Sequence, residues 1–320
     1  MKKKGKLSSV SNGRWGKRKK PKRDWKTYNR KLVGRGELLI PFGKAKEWER
    51  ELKAMNQDKE GAPFQYPSQL IECLLFWKFL LKSPYRLIGG LGKGLLGLFD
   101  IATTPDYSTL CRRMKSLGKK YYTERKKVEN EEAIYAAFDG TGLKVFNRGE
   151  WMHYKHKGKR KGFVRVCFMF NTKTGEILDF SATTEGVAEQ DKIRPMIKRT
   201  AKNRNIDKLA IDGAGDDWRN FELIKQLKIK PAIKIRQNAN PYLLMEDPRR
   251  RERLKEVLKV QKWGYQGWAK RRKYGQRWQS EGGISCFKGY FGEYVFSRGM
   301  SKIKAEVGLK VHFYNRLRSM

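Results

Sequence analysis

The chain has 320 residues, 39% of them hydrophobic and 12% aromatic, enough for a real core and for two domains or one large domain with appendages. Lys and Arg outnumber Asp and Glu 73 to 33, and a net charge of +40 repels itself in a compact state unless a polyanion shares it. Nucleic acid is the expected partner, because each neutralised phosphate releases counterions. Cys73, Cys111, Cys167 and Cys286 form no C-x-x-C pair, and His153, His156 and His312 do not complete a zinc finger with them. A disulfide framework and structural zinc are therefore excluded. The basic start lacks an apolar stretch, and the run LIECLLFWKFLL is too short for a membrane span, so a cytoplasmic location is expected.

Residues 1–35 are Lys- and Arg-rich with small residues between, and are expected to be a disordered tail that wraps a phosphate backbone. From 36 to 130 the pattern is helical. Ser68, after Pro67, is expected to cap QLIECLLFWKFLLK, and Ser83-Pro84 ends that helix. YRLIGGLGKGLLGLF continues weakly through its glycines to a break at Thr104-Pro105-Asp106. Asp106 or Ser108 then caps YSTLCRRMKSLGKK, with Leu110, Met114 and Leu117 on one side and Arg112, Arg113 and Lys115 on the other. Short helices ending in a basic one suggest a helix-turn-helix-like DNA-binding region with Thr109, Arg112 and Arg113 near the groove of double-stranded DNA. A helical bundle with a basic outer face is the alternative.

Residues 120–132 are charged and read as a linker or an exposed helix. From 131 to 320 the period changes. AIYAAFDGTGLKVF, GFVRVCFMFN and GEILDFSATT read as three successive strands. They are followed by a helix (DKIRPMIKRTAKN), a buried strand (KLAIDGAG), a helix (WRNFELIKQLK) and a strand (KPAIKIRQ). This order predicts an α/β domain with an RNase H-like catalytic core. Its first and fourth strands are neighbours, so Asp139 and Asp212 are expected at one crevice, while Asp216 and Asp217 cap the helix at Trp218. Residues 238–273, basic and carrying Trp263, Tyr265 and Trp268, read as an insertion. Such aromatics stack on splayed bases or pack the insertion onto the core, and Trp263 and Trp268 are candidate DNA contacts.

In YGQRWQSEGGISCFK, read as one helix over 274–288, Tyr274, Arg277, Glu281 and Lys288 fall within an arc of about 60°. An aspartate at a strand end is by itself more often a turn residue. Three carboxylates from separate elements suit two Mg²⁺ ions about 3.5–4 Å apart, which relieve charge on the attacking and leaving oxygens of a phosphodiester. Without cations such a cluster raises at least one pKa. Asp139, Asp212 and Glu281 are therefore the candidate catalytic and metal-binding residues, with Mn²⁺ expected to substitute for Mg²⁺. Arg277 and Lys288 are candidate phosphate contacts. Gly282 and Gly283, costly in a helix, imply close approach of DNA or of a neighbouring strand.

The spacing Tyr-x2-Arg-x3-Glu-x6-Lys resembles the signature of DDE transposases of bacterial and archaeal insertion sequences. FDGTGLKVFNRGEW and AIDGAGDDWRNF are similar to the two aspartate segments of insertion-sequence family five, and YNRKLVGRGEL and TTPDYSTLCRRM to that family's leading part. The resemblance spans residue 28 to the end. It implies Mg²⁺-dependent cleavage and strand transfer at terminal inverted repeats, action as a homodimer or higher oligomer on DNA, and a place at the prokaryotic nucleoid. By it Asp139, Asp212 and Glu281 are the metal-binding triad, Arg277 and Lys288 bind phosphate, and Tyr274 contacts DNA or only packs. The rivals are a non-catalytic, sequence-specific DNA-binding regulator derived from a transposase, and a nuclease of the same fold that does not join strands.

Overall fold

Strand β1, Ile134–Val145, is the axis of the sheet. It runs antiparallel to β2 (Phe163–Asn171), which runs antiparallel to β3 (Ile177–Thr184). On its other edge β1 is parallel to β4 (Ile206–Ile211), and β4 is parallel to β5 (Lys230–Ile233), giving the order β3-β2-β1-β4-β5. A short strand β6 (Tyr294–Val295) pairs in parallel with the far end of β1. The computed structural model describes residues 24–37, 45–98, 104–123, 128, 132–146, 162–241 and 247–319.

The meander needs only tight turns, whereas parallel neighbours need crossovers. Helix α6 (Gln190–Asn203) connects β3 to β4, and α7 (Trp218–Gln226) connects β4 to β5. Ile193, Met196 and Ile197 of α6 and Phe221 and Ile224 of α7 bury one sheet face with Ala136 and Phe138. The opposite face receives α9 (Trp278–Phe291), whose Phe287 ring lies 5.1 Å from that of Phe168. With both faces covered, β1 and β2 need apolar residues on both sides, which is why they read as near-continuous apolar runs. A Cβ on Gly283 would stand 2.5 Å from the Phe170 ring, so this glycine answers to a neighbouring strand, while the position of Gly282 is open. The whole is a mixed α/β fold with a central sheet.

Before the sheet come α2 (Ala45–Asn56), α3 (Ser68–Leu80), α4 (Tyr85–Gly97) and α5 (Tyr107–Thr123). Helix α3 is apolar almost all round and is buried along most of its length. The expected cap at Ser68 is corrected: Pro67 precedes the helix without a side-chain cap bond, and the Ser68 hydroxyl accepts from Arg113 at 2.8 Å. Asp106 does cap α5, its Oδ1 accepting from Thr109 N at 2.7 Å. The apolar face of α5 lies along α10 (Met300–Arg318), so these helices share one compact unit with the sheet, residues 41–319.

A Cβ on Gly118 would meet the Ala305 carbonyl carbon at 2.6 Å and its Cα at 2.7 Å. Both are backbone atoms of a second helix, so nothing local yields. Gly118→Ala is expected to force α5 from α10 and to cost about 3 kcal/mol, the upper end of ordinary overpacking, read as a lower denaturation midpoint.

Residues 1–40 belong to a second unit, in which α1 spans Trp25–Glu37 with no buried residue. The expected disordered tail is thus corrected over residues 25–35, which are helical, and residues 1–23 lie outside the described residues. The linker reading over 120–132 also falls largely outside them, although α5 continues to Thr123.

The inserted segment holds a 22-residue helix, α8 (Arg251–Arg272), kinked at Gly264, whose φ of +66° only glycine adopts easily. Its polar composition hid the helical period. Arg253 grips Asp216 of the core through two bonds of 2.7 and 2.8 Å. Buried Glu256 accepts from Trp268 Nε1 at 3.2 Å, tying the two arms together across the kink. Among the described residues no helix is long and apolar enough to cross a membrane.

Candidate active site

The parallel register pairs Ala137 with Ala210, and its continuation sets Asp139 of β1 beside Asp212, the first residue after β4. Asp212 Oδ1 accepts from Ala214 N at 2.9 Å, so this residue also caps the short turn Gly213–Gly215. Of the pair expected to cap α7, only Asp217 does so, accepting from Arg219 N at 3.0 Å. Asp216 is instead buried beneath Arg253.

Asp139 accepts from Gly140 N at 2.9 Å and from Ser280 Oγ at 3.2 Å, with Arg277 Nη1 3.5 Å from its Oδ2. Burial pushes the Asp139 carboxyl up, and Asp212 adds to that. Arg277 and the two hydrogen bonds oppose the rise without cancelling it.

The expected continuous helix over 274–288 begins instead as a 3-10 turn, Tyr274–Arg277, after the left-handed Lys273 (φ 53°), and becomes α9 at Trp278. This turn brings Arg277 down onto Asp139. Arg277 also pairs with Glu281, one α-helical turn on, whose side chain is 43% exposed. Glu281 faces Arg277, and among the described residues no three His, Cys, Asp or Glu side chains are grouped so that they could hold a metal ion. Lys288 lies further along α9, 3.7 Å from Glu293. A cleft of about 860 Å³ opens beside the aspartates, lined by Asp212, Lys234, Arg236, Tyr274 and Arg277.

The other candidates divide. Trp268 is corrected from a DNA contact to a core residue: it is fully buried and bonded to Glu256. Tyr274 is also buried, its ring 5.4 Å from that of Trp268, so it packs, although it borders the cleft. Arg113 is corrected too. It donates to Tyr66 O and Ser68 Oγ and lies over the Phe64 ring, binding α5 to the segment before α3. Arg112 is exposed and donates to Thr109 Oγ1 at 3.3 Å. Trp263 is partly buried, with the Arg271 guanidinium 4.7 Å from its ring centroid.

Three charged residues at this site were missed in the sequence. Lys234 and Arg236 follow β5, at the carboxyl end of a parallel strand where ligand crevices form, and that position was the available signal. Glu189, immediately before α6, gave no signal. It sits close enough to Asp212 and Asp139 for burial and their two charges to push its carboxyl up.

A family model described as Transposase DDE domain matches residues 133–316, more than half of the chain. The chain belongs to the DDE transposase family. A second model with the same description matches residues 33–148 of this transposase, so the helices before the sheet fall within the match. A solved structure described as a cryo-EM structure of a piggyBac transposase synaptic complex with hairpin DNA is similar over 90% of this transposase and 75% of that chain. The two are 10% identical, with a TM-score of 0.34. DDE transposases generally use divalent metals. The donors here fit such an ion: Asp139 and Asp212 present hard carboxylate oxygens side by side, and a cation would relieve the penalty that keeps Asp139 above its ordinary value.

Proposed function

We propose that this transposase binds the terminal inverted repeats of a prokaryotic insertion sequence of the family-five type and catalyses metal-dependent cleavage and strand transfer there. The observation that carries this reading is the placement of Asp139 on β1 and of Asp212 at the end of the adjacent parallel strand β4, next to the turn and helix that carry Arg277 and Glu281. The strand order supports an RNase H-like core over residues 131–320, and α3–α5 are its helix-turn-helix-like DNA-binding region.

Asp139, Asp212 and Glu281 would hold two Mg²⁺ ions, which when bound would supply charge relief at the attacking and leaving oxygens of the phosphodiester. Arg277 pairs with Glu281 and lies beside Asp139 until a backbone phosphate takes up the guanidinium, which leaves Glu281 free to join the aspartates. Lys288, Lys234 and Arg236 extend the positive surface along the strand being cut. Arg112 and Thr109 of α5, and Trp263 on α8, engage the flanking double-stranded DNA. The protein acts as a homodimer or higher oligomer on paired ends, in the cytoplasm at the nucleoid.

The test uses labelled DNA ends carrying the inverted repeats that flank the gene, incubated with Mg²⁺ or Mn²⁺. Cleavage at the repeat boundary followed by joining of the freed 3′-hydroxyl to a second DNA is the expected result, with Glu281→Gln binding but not cutting. Tight binding with no cleavage in either metal would instead identify a DNA-binding regulator, and cleavage without joining a nuclease.

A further inference from the structure

One wall of the cleft beside Asp212 is a turn that the core holds at several points. Lys234 N donates to Ile211 O at 3.1 Å, so bonding between the parallel chains continues to the residue before Asp212. Arg236 N donates to Asp216 Oδ2 at 3.0 Å, and Arg236 Nε to the carbonyl of Gly213 at 3.0 Å. Asp216 is itself buried and takes two further bonds from Arg253. The chain then reverses. Ala239 N donates to Arg236 O at 3.1 Å, which makes Gln237 and Asn238 the two central residues of the turn.

Both residues are exposed and both line the cleft together with Asp212. Among the described residues neither carboxamide has a hydrogen-bond partner. Exposed polar turns are ordinarily the mobile parts of a fold, and fixing one costs conformational entropy. Here a buried carboxylate and an arginine fix the first residue of the turn, and that arginine reaches the residue that follows Asp212. The two carboxamides are thereby presented at a set place beside the aspartate before any ligand arrives, which lowers the cost of binding one.

The chemistry of the wall divides. Lys234 and Arg277 carry charge suited to phosphate, and phosphate contacts position a duplex without reading its sequence. A carboxamide is neutral and offers a donor beside an acceptor, the complement of the adenine N6 and N7 edge.

We infer that the turn Arg236–Ala239 reads base sequence at the cut, Gln237 and Asn238 bonding to base edges in the pairs next to the scissile phosphate, with adenine the favoured base. The inference rests on the cleavage reading above and adds a second place of recognition to it. The helices before the sheet select the repeat, and this turn selects the terminus at which the aspartates act.

The experiment measures cleavage of labelled repeat ends by the full-length protein, with each base pair flanking the cut changed in turn to the other three. The wild type is expected to favour adenine at one or two of these positions by at least about fivefold, within the discrimination of a bidentate contact. Gln237→Ala and Asn238→Ala are each expected to flatten the preference at one position, with melting midpoints that match the wild type because neither side chain bonds to the protein. Lys234→Ala is expected to slow every substrate by a similar factor, as loss of a phosphate contact does. If the wild type cuts all these ends alike, ranks adenine first at none of them, or passes its ranking unchanged to both carboxamide variants, the inference falls and the transposase reading stands. If the wild type cuts none of the ends in Mg²⁺ or Mn²⁺, the cleavage reading falls and the inference with it.

Discussion

Asp139→Asn is expected to lose metal-dependent cleavage by about 10³-fold or more while binding end DNA within about twofold of the wild type. The substitution keeps the shape of the side chain, and its carbonyl oxygen still accepts from Gly140 N or Ser280 Oγ, so the turn that carries Arg277 stays in place. What is lost is one anionic oxygen pair beside Asp212, and with it the charge that draws in a cation.

The same variant has a second signature. The folded-state pKa of Asp139 lies above its unfolded value, so the ionised form costs stability at neutral pH, and that cost disappears as pH falls through the folded pKa. Asparagine removes the cost throughout. Asp139→Asn should therefore melt at or above the wild-type temperature at pH 7, and the difference should close on acidification. A protein that still cuts at the wild-type rate, or that melts well below the wild type at pH 7, would sink the assignment of Asp139.

Glu306→Ala is expected to destabilise the fold by about 3–5 kcal/mol, the range for breaking a buried charge pair from one side. Glu306 and Lys310 are both buried on α10, with Lys310 Nζ 2.8 Å from Glu306 Oε1. The glutamate also accepts from Phe296 N at 3.1 Å and Ser297 N at 2.8 Å, and Lys310 donates to Tyr294 O at 2.7 Å. Alanine leaves a buried ammonium with only the Tyr294 carbonyl to bond, and two part-buried backbone N–H groups without their acceptor.

Burial alone would raise the Glu306 pKa, but the Lys310 charge and the hydrogen bonds outweigh it and hold the group below its ordinary value. Its contribution to stability is thus full above the unfolded carboxylate pKa and is lost as pH falls through the folded one. The wild-type midpoint should fall with acid more steeply than that of the variant. Replacing the pair together, Glu306→Leu with Lys310→Met, is expected to restore most of the loss. A single Glu306→Ala variant within about 1 kcal/mol of the wild type would show that the pair contributes little. The consequence reaches the site, because this pair anchors β6, which pairs with Lys144 and Val145 of β1, the strand that carries Asp139.

Much of the fold was legible in the sequence because local pattern and tertiary demand agree there. The three-strand meander and the two crossover helices followed from apolar runs bounded by turns, since strands covered on both faces leave little choice of residue, and the adjacency of β1 and β4 was expected from the order of those elements. The helix of the inserted segment was not legible. Its stability comes from Arg253 on Asp216 and from the Glu256–Trp268 bond, contacts between residues far apart in the chain or across a kink, and neither leaves a period to read. The same cause misplaced Trp268 and Arg113. An aromatic among lysines and an arginine on a basic helix look alike whether they face DNA or a buried glutamate and a backbone carbonyl.

At the site, sequence by itself determined the identities and spacing of Asp139, Asp212, Arg277 and Glu281, together with a charge that calls for a polyanion. Those are properties of residue type and helical or strand period, which short stretches fix. Only the tertiary structure decided that Arg277 stands between Asp139 and Glu281, that Tyr274 packs inward, and that Glu189 shares the space over Gly140. Each depends on the distance between elements brought together by the sheet and its crossovers, and no local pattern encodes such a distance.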